Sequence, residues 1–212
     1  MPSPFELREA AYPGFAGRPP ARDLEAFLDA TRPADPPDVL YATGIGALVA
    51  LSLRARGHLV ECPVILQGPV LWGLERRVLP RLVGGGLWPL LPPLFGWTPF
   101  QRRFVSRHFT RPLEPDVERA FFRGYAECAA APQLFRWFRR PLLRDLEARF
   151  AASPGALEQV SVWWGGHDRV VAPQEQRWTE TALGVRWASR TFPEWGHYPM
   201  VDDPEGWVAA LA

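Results

Sequence analysis

Lysine is missing from this chain of 212 residues, and all 24 of its basic residues are arginine. Together with 24 prolines, that reads first as GC-rich coding bias and only secondarily as adaptation to heat. Cysteine is scarce too. Cys62 and Cys128 have no metal-ligand spacing and suggest no disulfide framework, so a reducing compartment is the expected setting. The opening stretch MPSPFELREAAYPGF has no basic segment followed by an apolar run. No secretion signal is read there, and a cytoplasmic location is expected. His58, His108, His167 and His197 are scattered and make no metal site. His58 follows a helix stop and is read as exposed, His108 sits among arginines, and His167 reads as a loop residue without a role. No cofactor is expected. Nucleic acid is not an expected partner either, because there is no recognised motif, no strongly basic balance and no aromatic–basic sheet signature.

What is present belongs to a folded protein. Hydrophobic residues make up 47% of the chain and charged ones 22%, and the length suits one core domain that carries a sizeable insertion. The net charge of +1 hides an asymmetry: residues 70–150 hold 14 arginines against 7 acids, the rest of the chain 10 against 16. A solvated basic surface accounts for this. The sharper alternative is an anionic partner or a lipid headgroup at that segment.

Apolar runs and turn residues give the organisation. FELREAAY (5–12) reads as a strand ended by PGFAG, and ARDLEAFLDATR (21–32) as a helix with Leu24, Phe27 and Leu28 on one face. DVLYAT (38–43) reads as a buried strand, 45–56 as a helix stopped by Gly57, and CPVILQG (62–68) as another buried strand. Strand, helix, strand at this spacing is a βαβ unit, which predicts a parallel sheet. From Val70 to Phe150 helical patterns with arginine-rich faces surround LVGGGLWPLLPPLFGW. That segment has too many glycines and prolines to cross a bilayer as a helix and reads as the lining of a pocket or an interface. The sheet pattern returns in QVSVWWGG (159–166) and VRWASRTF (185–192). The expected division is 1–69 and 151–212 for the sheet domain, with 70–150 as a helical insertion. The aromatic residues of that insertion (Trp72, Trp88, Trp97, Trp137, Phe95, Phe100, Phe104 and Phe109) are expected to pack against the sheet; an exposed docking surface is the alternative.

Three strand ends carry candidate chemistry. Ala42-Thr43-Gly44-Ile45-Gly46 is a sharp strand-to-helix turn with small residues at its first and last positions. WWGGHDRVVAP places Asp168 just past a strand, and FPEWGHYPMVDDPEGW places His197 in a loop before the last helix. The order elbow, acid, histidine is similar to that of the α/β-hydrolases, and the chain resembles the esterase, epoxide hydrolase and peptidase type of that family. YPGFAGRPP resembles the loop after the family's fourth strand, VLYATGIGALVAL its fifth strand and elbow, CPVILQGP its sixth strand, and residues 70–150 its helical cap. Gly196-His197 with the following Asp-Pro-Glu is the most specific match.

The resemblance implies an α/β fold with a mostly parallel sheet, helices on both faces and an inserted cap. It implies triad-equivalent positions at Gly44, Asp168 and His197, with Ile45 N–H as one oxyanion donor. It also exposes two departures. Gly44 stands where the family has serine, cysteine or aspartate, and glycine offers no atom to attack a substrate. Moving the register to Thr43 would put Tyr41 and Ile45 where small residues are required, and Ser52 lies two helical turns along. The family's first three strands, with the loop that supplies the second oxyanion donor, have no counterpart here, so a truncated fold is expected. The leading expectation is a catalytically inactive member that serves as a binding or structural subunit, either as a homo-oligomer or within a larger assembly. A membrane-surface contact through 70–150 is an alternative mode of association. The rival expectation is a hydrolase or general-base enzyme in which an Asp168–His197 dyad acts without a serine.

Overall fold

The computed structural model describes residues 12–15, 18–82, 97–126 and 131–212, together with Glu6, Arg8, Glu9 and Gly86. Its centre is a four-stranded sheet: β1 (Leu40–Thr43), β2 (Val64–Gln67), β3 (Val160–Gly165) and β4 (Ala188–Phe192), in the order β1-β2-β3-β4. All three pairings are parallel, with Ala42 opposite Leu66, Leu66 opposite Val162, and Val162 opposite Ser189. A parallel pair needs a crossover between its strands. Helix α2 (Gly46–Arg54) makes the first, and α8 (Gln174–Leu183) makes the last. Between β2 and β3 the chain runs through a 3-10 turn (Trp72–Arg76) and the helices α3 (Val78–Leu82), α4 (Thr98–His108), α5 (Pro115–Ala126), α6 (Ala131–Trp137) and α7 (Arg140–Ala152). α1 (Leu24–Thr31) precedes the sheet, and α9 (Pro199–Asp202) and α10 (Pro204–Leu211) follow it.

Alternation along the strands gives the sheet two different faces. Ala42, Val64, Leu66, Val160, Val162 and Trp164 join the main core with Phe27 and Leu28 of α1, Leu48 and Leu51 of α2, and Leu146 and Phe150 of α7. The opposite face is aromatic. Tyr41 lies 6.2 Å from Trp163 and 5.3 Å from Trp207 of α10, and Trp163 lies 5.1 Å from Phe192, ring centre to ring centre. Helices therefore cover both faces.

Each local start and stop has a chemical cause. Asp23 caps α1 by accepting from Ala26 N at 2.8 Å. α2 is buried along its whole length: its first eight residues are small or apolar, and the buried Arg54 at its end donates to Val60 O at 2.6 Å. It stops where Gly57 N donates to Arg54 O and His58 N to Leu53 O, the paired bonds of a Schellman ending. The 21–32 helix, the Gly57 stop and the four strands beginning at Leu40 agree with the sequence reading.

The expected strand 5–12 falls largely outside the described residues. Of that stretch Glu6, Arg8, Glu9 and Tyr12 are described, and none lies in a strand. Trp88, Phe95 and Cys128 also lie outside the described residues, as does nearly all of LVGGGLWPLLPPLFGW. Trp72 and Trp137 pack against the core as expected, and Phe109 is buried, whereas Trp97 is 57% exposed. Phe100 and Phe104 pack around Phe122 in a second, smaller cluster. No helix among the described residues is long and apolar enough to cross a membrane.

Candidate active site

The elbow forms where β1 runs into α2. Gly44 sits at its tip with φ +55, a left-handed conformation that side chains other than glycine rarely adopt. Hydrogen bonds pin it to the end of β2 and beyond: Gly44 N donates to Gln67 O at 3.2 Å, and Gly44 O accepts from Val70 N at 2.9 Å. The flanking positions are crowded. Ala42 is buried, and a Cβ on Gly46 would lie 3.3 Å from the Tyr12 hydroxyl. That crowding is the physical reason for reading Gly44, and not Thr43, as the central position. Thr43 Oγ1 and Ser52 Oγ are both buried with no hydrogen-bond partner among the described residues, and Ser52 is enclosed in α2. Ile45 N–H stands at the N-cap of α2, where backbone donors have no helical acceptor.

Two loops deliver the other groups. Asp168 follows β3, and its Oδ1 accepts from Val170 N at 2.7 Å and Val171 N at 3.0 Å, which fixes the carboxylate against its own loop. Oδ2 accepts from His197 Nδ1 at 2.9 Å, with the two side chains 1% and 3% exposed. A carboxylate can only accept, so Nδ1 carries the proton, and in the neutral ring Nε2 keeps its lone pair. Nε2 points toward the elbow: a Cβ built on Gly44 would lie 3.5 Å from it. The structure thus brings Gly44, Asp168 and His197 together.

Two contributors were not singled out in the sequence. The first is Gly68, just past β2, with φ +47. A Cβ there would fall 2.7 Å from Asp168 Oδ2 and 3.0 Å from His197 Nδ1, so the dyad occupies the space that a side chain would need. The second is His108, at the end of α4, and its reading as one more residue among the arginines of the insertion is corrected. Its carbonyl accepts from His197 N at 3.1 Å, its ring stacks on Phe104 at 3.7 Å, and it meets the His197 ring edge-on at 5.6 Å. His108 Nδ1 bonds Phe104 O at 2.8 Å, and burial pushes its pKa down to about 4, so it stays neutral.

Further bonds tie the same segment to the histidine loop. Thr110 N donates to both oxygens of Asp202, at 3.1 and 3.2 Å, and burial raises the pKa of that carboxyl. Asp203, the first residue of the Asp-Pro-Glu run, caps α10 through Gly206 N at 3.1 Å and accepts from Trp195 Nε1 at 3.2 Å. His58 lies near Arg32, half-buried and not fully exposed as expected, and His167 is exposed. Among the described residues no group of three or more His, Cys, Asp and Glu could hold a metal ion.

Chemically, the arrangement is an oriented base facing a turn whose tip is a glycine. Nε2 could take a proton from a hydroxyl or a water placed above Gly44, with Asp168 stabilising the imidazolium. Gly44, at the tip of the elbow, has no side-chain atom that could form a covalent intermediate, and the Thr43 hydroxyl beside it is buried.

Comparison with known proteins follows the same lines. The model of the alpha/beta hydrolase family matches residues 7–211. Similar solved structures include an alpha/beta hydrolase fold protein from Burkholderia ambifaria, at 22% identity and a TM-score of 0.55 over 81% of this chain and 63% of that one. They also include a membrane phospholipase A described as a bacterial virulence factor, at 20% identity and 0.59 over 94% and 66%. A haloalkane dehalogenase from Bradyrhizobium elkani USDA94 matches at 18% identity and 0.52 over 82% and 67%. At these identities the likeness is one of fold. The chain spans less than two thirds of the length of the first two. No curated protein matches the sequence.

Proposed function

From the premise that the chain belongs to the alpha/beta hydrolase family, we propose that it is a member that does not perform acyl transfer and acts as a binding or structural subunit. One observation carries this reading: at the elbow tip, in front of an intact and oriented His197–Asp168 pair, stands Gly44. The family's covalent route needs an attacking oxygen, sulfur or carboxylate at that point, and glycine has none. The helical segment 70–150 is the cap in this reading. With its arginine excess it is also the surface through which the subunit joins a homo-oligomer or a larger assembly.

The intact dyad favours a second reading, in which His197 activates a water directly and the reaction has no covalent intermediate. Two measurements separate them. A fluorophosphonate probe should leave the chain unlabelled, and p-nitrophenyl esters, phospholipids and haloalkanes should show no turnover. Labelling at any serine overturns the non-acylating reading. Turnover that is lost in His197→Ala, without labelling, establishes the general-base reading instead. Sedimentation velocity at micromolar concentration tests the subunit role, which a well-folded monomer would contradict.

A further inference from the structure

A concave site lies away from the elbow, between the Trp72–Arg76 turn, α3, the end of α6, α7 and α8. It is a cavity of about 930 Å³, within the range of pockets that enclose a small organic ligand. None of Gly44, Ile45, Asp168 or His197 lines it. Its apolar part is built from Leu74, Phe138 and Leu143, all buried, with the half-buried Trp72 and Phe135 beside them.

The charged part is one-sided. Among the described residues five arginines line the cavity against a single carboxylate, Glu147, whose Oε1 already accepts from Trp72 Nε1 at 2.6 Å. Nearby acids are engaged elsewhere: Glu175 pairs with Arg77, Asp145 with Arg149, and Glu180 accepts from Gln176 and from Trp187 N. Among the described residues Arg81, Arg139 and Arg144 have no carboxylate partner, and Arg76 lies over the Trp178 ring at 3.9 Å. Gathering like charges around one concavity is unfavourable unless an anion offsets them. Guanidinium groups match the geometry of phosphate and carboxylate oxygens, and aromatic walls match an apolar body.

We propose that this cavity binds an amphiphilic anion, an alkyl or aryl chain that ends in phosphate or carboxylate. The chain lies against Trp72, Phe135, Phe138 and Leu143, and the head is held by Arg81, Arg139 and Arg144. The inference does not depend on the reading of the elbow, because the two sites share no residue.

Calorimetric titration of the full chain tests it with four probes: dodecyl phosphate below its micelle concentration, inorganic phosphate, dodecanol, and phosphatidylcholine vesicles with and without phosphatidylglycerol. Dodecyl phosphate should bind at least about tenfold more tightly than either phosphate or dodecanol alone, because only it engages both parts of the site. Its affinity should fall as salt is raised. Arg81→Glu with Arg144→Glu should weaken it on the order of 100-fold. Both side chains are exposed, so the fold should survive the change. If circular dichroism shows that it does not, Arg81→Gln with Arg144→Gln provides the same reading. His197→Ala should leave binding unchanged. Equal binding by the arginine variants overturns the proposal, and loss of binding in His197→Ala moves the ligand to the elbow. Binding to phosphatidylglycerol vesicles without binding to dissolved dodecyl phosphate also overturns it, in favour of a membrane surface.

Discussion

The two halves of the candidate site differ in what their hydrogen bonds hold in place. On the acid–base side the bonds fix reactive side chains. Asp168 takes two backbone donors and His197 Nδ1, while His197 N is held by His108 O. On the nucleophile side the backbone is held equally well, with Gly44 bonded to Gln67 and Val70, yet no functional atom is presented. The elbow is a left-handed turn with a glycine at its tip. Backbone hydrogen bonds hold the turn here, so its shape does not depend on a side chain at its tip.

Substitutions at the two left-handed glycines of the site, Gly44 and Gly68, put this contrast to the test. Gly68→Ala should be the most damaging, because it adds a collision with Asp168 Oδ2 and His197 Nδ1 to the cost of its backbone conformation. A loss of about 3 kcal/mol or more in denaturant unfolding is expected. Asp168→Ala should follow, at about 2–3 kcal/mol, since it strands the Val170 and Val171 donors and the His197 ring proton. Asp168→Asn should keep most of that stability while changing the tautomer of His197, which nitrogen NMR of the ring would report.

His108 adds a pH dependence. Its folded pKa of about 4 lies below the ordinary 6.5, so the unfolded chain takes up the proton first. The contribution to stability is whole above about pH 6.5 and is lost as pH falls toward 4, by about 2–3 kcal/mol. In His108→Phe that part of the pH profile should flatten, measured as melting temperature between pH 4 and 7.

Gly44→Ser should have the smallest effect, about 1–2 kcal/mol from its positive φ alone, since a Cβ there meets nothing closer than His197 Nε2 at 3.5 Å. The added hydroxyl would lie within reach of that nitrogen, and fluorophosphonate labelling of the variant, but not of the wild type, is the expected result. If Gly44→Ala costs as much as Gly68→Ala, the contrast between the halves is wrong.

Much of this was legible in the sequence because it rests on local pattern. Short apolar runs mark β1, β2 and β3, and the residues that follow β1, β3 and β4 mark Gly44, Asp168 and the His197 loop. The exposed β4, Ala188–Phe192, was readable too, within the sheet-patterned run VRWASRTF. His108 was not legible. Its place beside His197 comes from how α4 returns to the sheet, and its neutrality from burial, neither of which its arginine-rich neighbours reveal. Gly68 was read only as the end of a strand, since the atoms that exclude its side chain come from Asp168 and His197, far along the chain. The arginine excess of 70–150 was plain in the composition. That part of it surrounds an aromatic cavity depends on the docking of α7 and α8 against the Trp72–Arg76 turn.

The order β1-β2-β3-β4 has a consequence for how the chain folds. Neighbours in the sheet are neighbours in sequence, but the three pairings close loops of very different lengths. β1 with β2, and β3 with β4, each enclose one helix and its turns, whereas β2 meets β3 only after the whole run from Trp72 to Leu157 has been gathered in. Loop-closure entropy grows with the logarithm of length, so this middle seam carries the largest ordering cost of the three. The seam also aligns Gln67 with Trp163, and with them the turns at Gly68 and Asp168. The two halves of the dyad's surroundings are thus assembled at the pairing that is slowest to close.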